Sequence, residues 1–317
     1  MAKTAKSKKM VVKKQRVRAR GVGQETLDVE GMKYMNLLRD PCTGPLVHGP
    51  GSTEGGSVFR CESDFIMGNG ALETCGVFMW APGAYNTALN PVNGSGTMFN
   101  NSATDLTAFN PLATGTSIYA PGYTFLQTNA SSYRCLAACI QIYWPGSELN
   151  RQGIVGVAQG TYGAMSTNIN LTVAQVRGAC PITQRMPSDR LEAKWAPHYA
   201  DGLFRNASNT QIPEDGHGSL IVNWAGIPVA TGVRLRLVAV FEWRPKLTTG
   251  ALVLSSNTEG GSRSSATIQS VRQYLDRMDS HWWISAALAS AKFFSGATTA
   301  YRTIAGRTYP RATISEL

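Results

Sequence analysis

Lys3, Lys6, Lys8, Lys9, Lys13, Lys14, Arg16, Arg18 and Arg20 put nine positive charges into the first twenty residues, which hold no acidic residue. The chemistry open to such a run is phosphate neutralisation. Each cation that docks on a nucleic-acid backbone releases condensed counterions, so nine contacts on a single strand predict a log-log salt slope of roughly −6. The whole chain carries 30 basic and 20 acidic residues, so without this arm it is within one charge of neutral. A segment this cationic cannot bury enough apolar surface to offset its ordering entropy, which predicts disorder until it meets a polyanion. Fully extended, it reaches roughly 66 Å. The same run also fits a solvated tail or a nuclear-localisation signal.

Other residue types offer less. Asp189 with Glu192, and Asp201 with Glu214 and Asp215, could supply oxygens to a structural Ca²⁺ between subunits, although solvated loop charges have the same spacing. His48, His198, His217 and His281 fall in no metal or nucleophile motif. Neither a G-x-S-x-G elbow nor a phosphate-binding G-x-x-x-x-G-K-[ST] loop occurs, so no catalytic residue is assigned and no cofactor is expected. The six cysteines, at positions 42, 61, 75, 135, 139 and 180, include no CxxC pair. Cys135 and Cys139 on one strand face would stand about 13 Å apart, too far for a disulfide. With no apolar leader, the chain is expected in a reducing cytosol and its cysteines as buried free thiols.

The elements that must carry these residues read as β-structure, because 32 Gly and 15 Pro punctuate short apolar runs. Met32 to Leu38 forms one or two helical turns, and the prolines and glycines from Pro41 to Pro50 give an irregular segment hugging the domain. Gly56 to Ile66 and Glu73 to Trp80 read as a hairpin-like pair around Gly68-Asn69-Gly70. Ala81 to Ser132 reads as a long surface or subunit-contact loop with room for a short helix. Tyr133 to Trp144 is apolar on both faces, with Cys135 and Cys139 on one and Leu136, Ala138 and Ile140 on the other, so it should be covered on both sides. Gly153 to Gln159 returns antiparallel after the Pro145 turn. Leu171 to Arg177 is helical, with Asn170 as N-cap and Gly178 as stop. Strands follow at Arg190 to Trp195, Ser219 to Trp224 and Val233 to Trp243, the last with period-two alternation over eleven residues.

Beyond Pro245, residues 266 to 297 show helical periodicity. The uncharged run from Trp282 to Ala291 is about 15 Å long as a helix, half of what a bilayer core needs. Trp282, Trp283, Phe293 and Phe294 are candidates for transient contact with a host membrane surface, against the simpler reading that this face packs on protein.

Three stretches carry a family resemblance. Asp40-Pro41-Cys42-Thr43-Gly44-Pro45-Leu46-Val47-His48, the strand and turn from Ala137-Ala138-Cys139-Ile140-Gln141-Ile142-Tyr143-Trp144-Pro145-Gly146-Ser147 to Gly153, and Val240-Phe241-Glu242-Trp243-Arg244-Pro245 resemble coat proteins of small icosahedral positive-strand RNA viruses, of the nodavirus-like and tombusvirus-like kind. The match covers roughly Gly31 to Pro245. It implies an all-β fold, an eight-stranded antiparallel jelly-roll sandwich, with a disordered basic N-terminal arm and a C-terminal helical segment. Residues 1–30 would be the arm and linker, 31–247 the shell domain and 248–317 the tail. The implied partners are other copies of the chain, closing an icosahedral shell, and a packaged genome, single-stranded RNA, in a virion assembled in host cytoplasm. The eighth strand is expected within Ala200 to Gly216. Two departures stand out: the 72 residues after Pro245 read as linker plus helix, so no projecting β domain is expected, and they contain no Asn-Ala bond for self-cleavage, Asn257 preceding Thr258. Two other classes remain open. One is a non-viral nucleic-acid-binding β-sandwich with a basic tail, and the other a hydrolase on the same scaffold.

Overall fold

The structure, a computed structural model, describes residues 28–50, 56–82, 97–104, 106, 108–109, 118–161, 171–197, 201–207, 218–246 and 273. The N-terminal arm and, apart from residue 273, the predicted C-terminal helix lie outside the described residues. Two five-stranded antiparallel sheets face each other. Sheet A contains β1 (Ser57–Met67), β12 (Val233–Pro245) and β5 (Ala130–Tyr143), with β9 (Arg190–Trp195) and β10 (Arg205–Asn206) both along the free edge of β5. Sheet B runs β3 (Thr97–Ser102), β2 (Cys75–Trp80), β11 (Gly218–Ala225), β6 (Ile154–Thr161) and β8 (Ile182–Arg185). A two-residue ladder joins β4 (Ala108–Phe109) to β7 (Leu171–Thr172).

The pairings nest. β1 pairs β12, β2 pairs β11, β5 pairs β9 and β6 pairs β8, as if one long hairpin had been rolled up. This is the connectivity of a jelly roll, so the all-β class read from the composition and the sandwich implied by the resemblance stand, with two five-stranded sheets where eight strands were expected. The roll also overturns the predicted hairpin. β1 and β2 sit in different sheets, and the turn at Gly68 crosses the sandwich instead of folding the chain back on its neighbour. Likewise β6 returns antiparallel in sheet B, not beside β5. The expected short strand within 200–216 is β10, and β3 and β8 are additions that their polar sequences hid.

Alternation assigns the layers. Leu235, Leu237, Phe241 and Trp243 of β12 meet Phe78, Trp80, Leu220, Val222 and Trp224 of sheet B in the main core. On the other side of sheet B, the helix Val173–Ala179 lays Val173 and Val176 on Val77, Met79 and Ile221. Its start is fixed by a capping box in which Thr172 and Gln175 satisfy each other's backbone, and it runs through Gly178 to Ala179. Neither the N-cap nor the stop is where the sequence placed it. In sheet A the register of β5 against β12 shifts twice, beside Pro245 and beside Phe241. Val240 pairs Ala137 while Phe241 pairs Cys135, leaving Leu136 as a bulge. Cys135 therefore points into the main core, whereas Leu136 and Ala137 both belong to the outer cluster. The predicted face assignment holds only beyond the bulge.

Candidate functional site

Two surfaces of the described fold bear on function: the segment that roots the arm, and the end of the sandwich where the loops gather. α1 (Val29–Arg39) is separated by eight residues from the last arm cation, Arg20, with its Asp28 N-cap accepting from the Gly31 amide at 2.7 Å. At three turns it is longer than the sequence suggested. With residues 40–50 it forms a strap across the outer face of sheet A, burying Tyr34, Leu37, Leu38 and Val47 against Val58, Leu136, Ala137 and Val240. Cys42 is disulfide-bonded to Cys139 on β5, their Cα atoms 5.9 Å apart. This corrects the expectation of six free thiols. The pairing partner lies 97 residues away and is brought in by the strap, which no spacing rule along one strand could reveal. Cys61, Cys75, Cys135 and Cys180 are free, and burial pushes the Cys61 and Cys180 thiols up to about 12.

Beyond the disulfide the strap closes over a buried charge. The Glu242 side chain is wholly buried and meets Arg134 Nη2 at 2.6 Å and His48 Nδ1 at 2.9 Å, while the Gly49 amide donates to it at 3.3 Å. Burial pushes this carboxyl up, but the His48 hydrogen bond and the Arg134 guanidinium together outweigh it and hold Glu242 below the ordinary carboxylate value. Arg134 also donates to the carbonyls of Gly49 and Gly202 and lies over the Phe204 ring. A Cβ at Gly49 would stand 2.6 Å from Leu136 Cδ2 and 2.7 Å from Arg134 Nη2, so a larger residue there would have to displace both side-chain ends. His48 is thus a structural partner of a buried acid. His198, His217 and His281 lie outside the described residues.

The calcium candidates separate. Asp189 is exposed between β8 and β9; Glu192 on β9 accepts from Gln141 and pairs with Lys194; Asp201 is buried, its Oδ2 accepting from the Gly218 amide at 3.0 Å. Glu214 and Asp215 are outside the described residues, and among the described residues no three His, Cys, Asp or Glu side chains converge on a metal position. Trp282, Trp283, Phe293, Phe294 and the nine arm cations also lie outside them. No helix among the described residues is long and apolar enough to cross a membrane.

The outer face of sheet A below the strap is charged yet balanced. Asp64 pairs with Arg234 at 2.5 Å, Glu62 pairs with Arg236, and Lys194 pairs with Glu192 at 3.5 Å. Hydrogen bonding to Arg234 draws the Asp64 carboxyl down. These cations already have carboxylates, so this face lacks the uncompensated charge of the arm.

A rolled antiparallel chain puts alternate connections at one end. Here these are residues 68–74, 144–153, 186–189 and 226–232, and hydrogen bonds knit them together. Ile227 N donates to Thr74 O at 3.1 Å, Ala230 N to Gly70 O at 3.2 Å, and Met186 N to Gly153 O at 3.0 Å. This end is studded with bare apolar side chains: Leu149 is 96% exposed and Leu72 75%, and Val229, Ile66 and Ile154 are exposed beside them. Among these loops a cleft of about 490 Å³ is lined by Arg151, Gln152, Gly153, Ile154, Arg185 and Met186. This surface is barely legible in the sequence. Its only signal was an isolated Leu149 inside the polar run Gly146 to Gln152.

No family model and no curated protein matches the chain. Among solved structures it is similar to that of infectious bursal disease virus, Gt strain, with a TM-score of 0.40 at 10% identity over 78% of this chain and 94% of that one. Similar values hold for the VP2 subviral particle of the same virus, 0.40 at 10% over 82% and 98%. For the empty head of turnip yellow mosaic virus they are 0.34 at 13% over 66% and 90%.

Proposed function

We propose that the chain is a viral coat protein of the nodavirus-like or tombusvirus-like kind, which self-assembles into an icosahedral shell and gathers single-stranded RNA through its basic arm. The observation that carries this reading is the division of labour along the chain. A near-neutral jelly roll exposes an apolar loop end suited to protein contacts, and nine cations stand together just ahead of the strap. Weak, sequence-blind phosphate contacts suffice for packaging when a closed shell multiplies them. The role is structural. The described histidine sits in a buried ion pair, and the free thiols whose pKa values are raised by burial are poor nucleophiles. Assembly belongs in the host cytoplasm, and the mature location is the virion.

Electron microscopy of the purified protein tests the first half. Uniform particles are expected, and a monodisperse monomer at high concentration overturns it. Removing residues 1–20 tests the second: particles still form but lose most of their nucleic acid, judged by ultraviolet absorbance. Undiminished nucleic acid in the truncated particles would remove the arm from packaging and favour another surface.

A further inference from the structure

The geometry points to a specific self-contact at the loop end: the Glu148-Leu149 tip of one subunit enters the Arg151/Arg185 cleft of the next. The inference rests on the self-assembly reading and names the residues that would carry one of its contacts. The tip is a 3-10 turn, Glu148–Asn150, whose Leu149 is 96% exposed, the highest value among the described large apolar residues. Solvent exposure of that extent on a rigid turn has no use inside the subunit. The turn follows Trp144, whose indole Nε1 donates to Ser147 O at 2.9 Å, and its Asn150 and Arg151 amides donate back to Ser147 and Glu148.

The cleft is the chemical complement of this tip. Ile154 and Met186 give it an apolar floor, and Arg185 supplies its uncompensated positive charge, Arg151 being paired within its own subunit. Arg185 has no ion-pair partner among the described residues. Glu148 Oε2 is touched by its own Arg151 at 3.3 Å, an exposed pair, and its other carboxylate oxygen is open to a second guanidinium. An acidic, apolar knob therefore sits beside a basic, apolar hole on the same end of one molecule. The knob cannot fill the hole of its own subunit, because residues 151–154 follow it directly and form the wall. A second copy, rotated about an axis beside this end, brings its knob to the first copy's hole. Such a head-to-tail contact repeats around the axis and closes into a ring where its rotation divides the full turn.

Charge exchange tests this. Arg185→Glu and Glu148→Arg are each expected to reduce particle yield at least tenfold by sedimentation and electron microscopy, and the double variant to restore most of it. Leu149→Ala, a change at a solvent-exposed site that leaves thermal unfolding of the subunit unaltered, is expected to lower yield several-fold. Wild-type particles together with wild-type yield for Arg185→Glu and Leu149→Ala would overturn this contact and leave the coat-protein reading in place. Absence of wild-type particles would instead remove the reading itself. Loss of assembly in the two charge variants without rescue in the double variant would also overturn the pairing of Glu148 with Arg185.

Discussion

The outward row of β12 divides into two halves that share a strand and differ in cover. Arg234 and Arg236 lie in the open and pair diagonally with Asp64 and Glu62 of β1. Val238, Val240 and Glu242 continue the same row, yet all three are buried, because the strap of residues 28–50 lies over them. Acid and base meet in both halves. In the first, water screens the pairs and the side chains keep much of their freedom; in the second, every partner of the carboxylate must be supplied by protein. The strap thus converts an ordinary surface charge into a structural requirement, and it does so at the root of the arm. The residues that follow the cationic arm in sequence are thereby held on sheet A by both the buried acid and the disulfide.

The largest effect should follow from breaking the covered half. Glu242→Ala leaves the Arg134 guanidinium buried without its carboxylate, and removing one partner of a buried pair costs about 3–5 kcal/mol. Urea denaturation of the subunit is the measurement. Acid should expose the same dependence. Glu242 has its folded value lowered, so its contribution is complete above the unfolded value of about 4.3 and is lost as pH falls through the folded one. Asp40 and Asp64 are lowered as well, so the informative quantity is the wild type minus Glu242→Gln. That difference should shrink steadily below about pH 4; a constant difference down to full carboxylate protonation would mean that the pair contributes nothing to the covered half.

Next in size is the covalent hold. Replacing both Cys42 and Cys139 by Ser frees a strap closed across 97 residues, and losing a bridge of that span costs typically about 2–4 kcal/mol. Peptide mapping without reductant should recover the Cys42–Cys139 link, with four other thiols alkylated by iodoacetamide after unfolding. Denaturation of the wild type with reductant should approach that of the double variant. Equal stability with and without reductant would leave the buried ion pair as the strap's main fastening.

Much of this was written in the sequence, for identifiable reasons. The alternation of Val233 to Trp243 fixes one buried face, and a double-sided apolar run such as Leu136 to Ile142 has to be central. Period and polarity are local properties, so they survive in a string of letters. What failed was non-local. The turn at Gly68 looks the same whether the chain folds back or crosses to the facing sheet, and the difference is decided by β12 claiming the edge of β1 from more than 160 residues away, Met67 pairing with Val233. The bulge at Leu136 adds one residue without any Gly or Pro to announce it. Cys42 meets Cys139 only because an irregular, proline-rich strap is laid on the sheet. The arm was legible because charge needs no fold to be noticed. The loop end was not, because Leu72, Leu149 and Val229 lie far apart in the chain and gather only when the roll closes.

The smallest effect should come from the open half. Arg236 Nε donates to Glu62 at 3.1 Å and its Nη1 to Gln141 at 3.1 Å, and both ion-pair side chains are more than one-third exposed. Arg236→Ala should therefore cost below about 1 kcal/mol, and the coupling with Glu62→Ala in a double-mutant cycle should fade further as salt is raised past a Debye length of about 8 Å. The matching cycle on Arg134 and Glu242 should give a coupling several times larger that salt barely changes, since no mobile ion reaches a carboxylate sealed beneath the strap. If both cycles responded equally to salt, water would have to enter beneath residues 47–50. The contrast between the two halves would then belong to geometry on paper and not to the energetics of the protein.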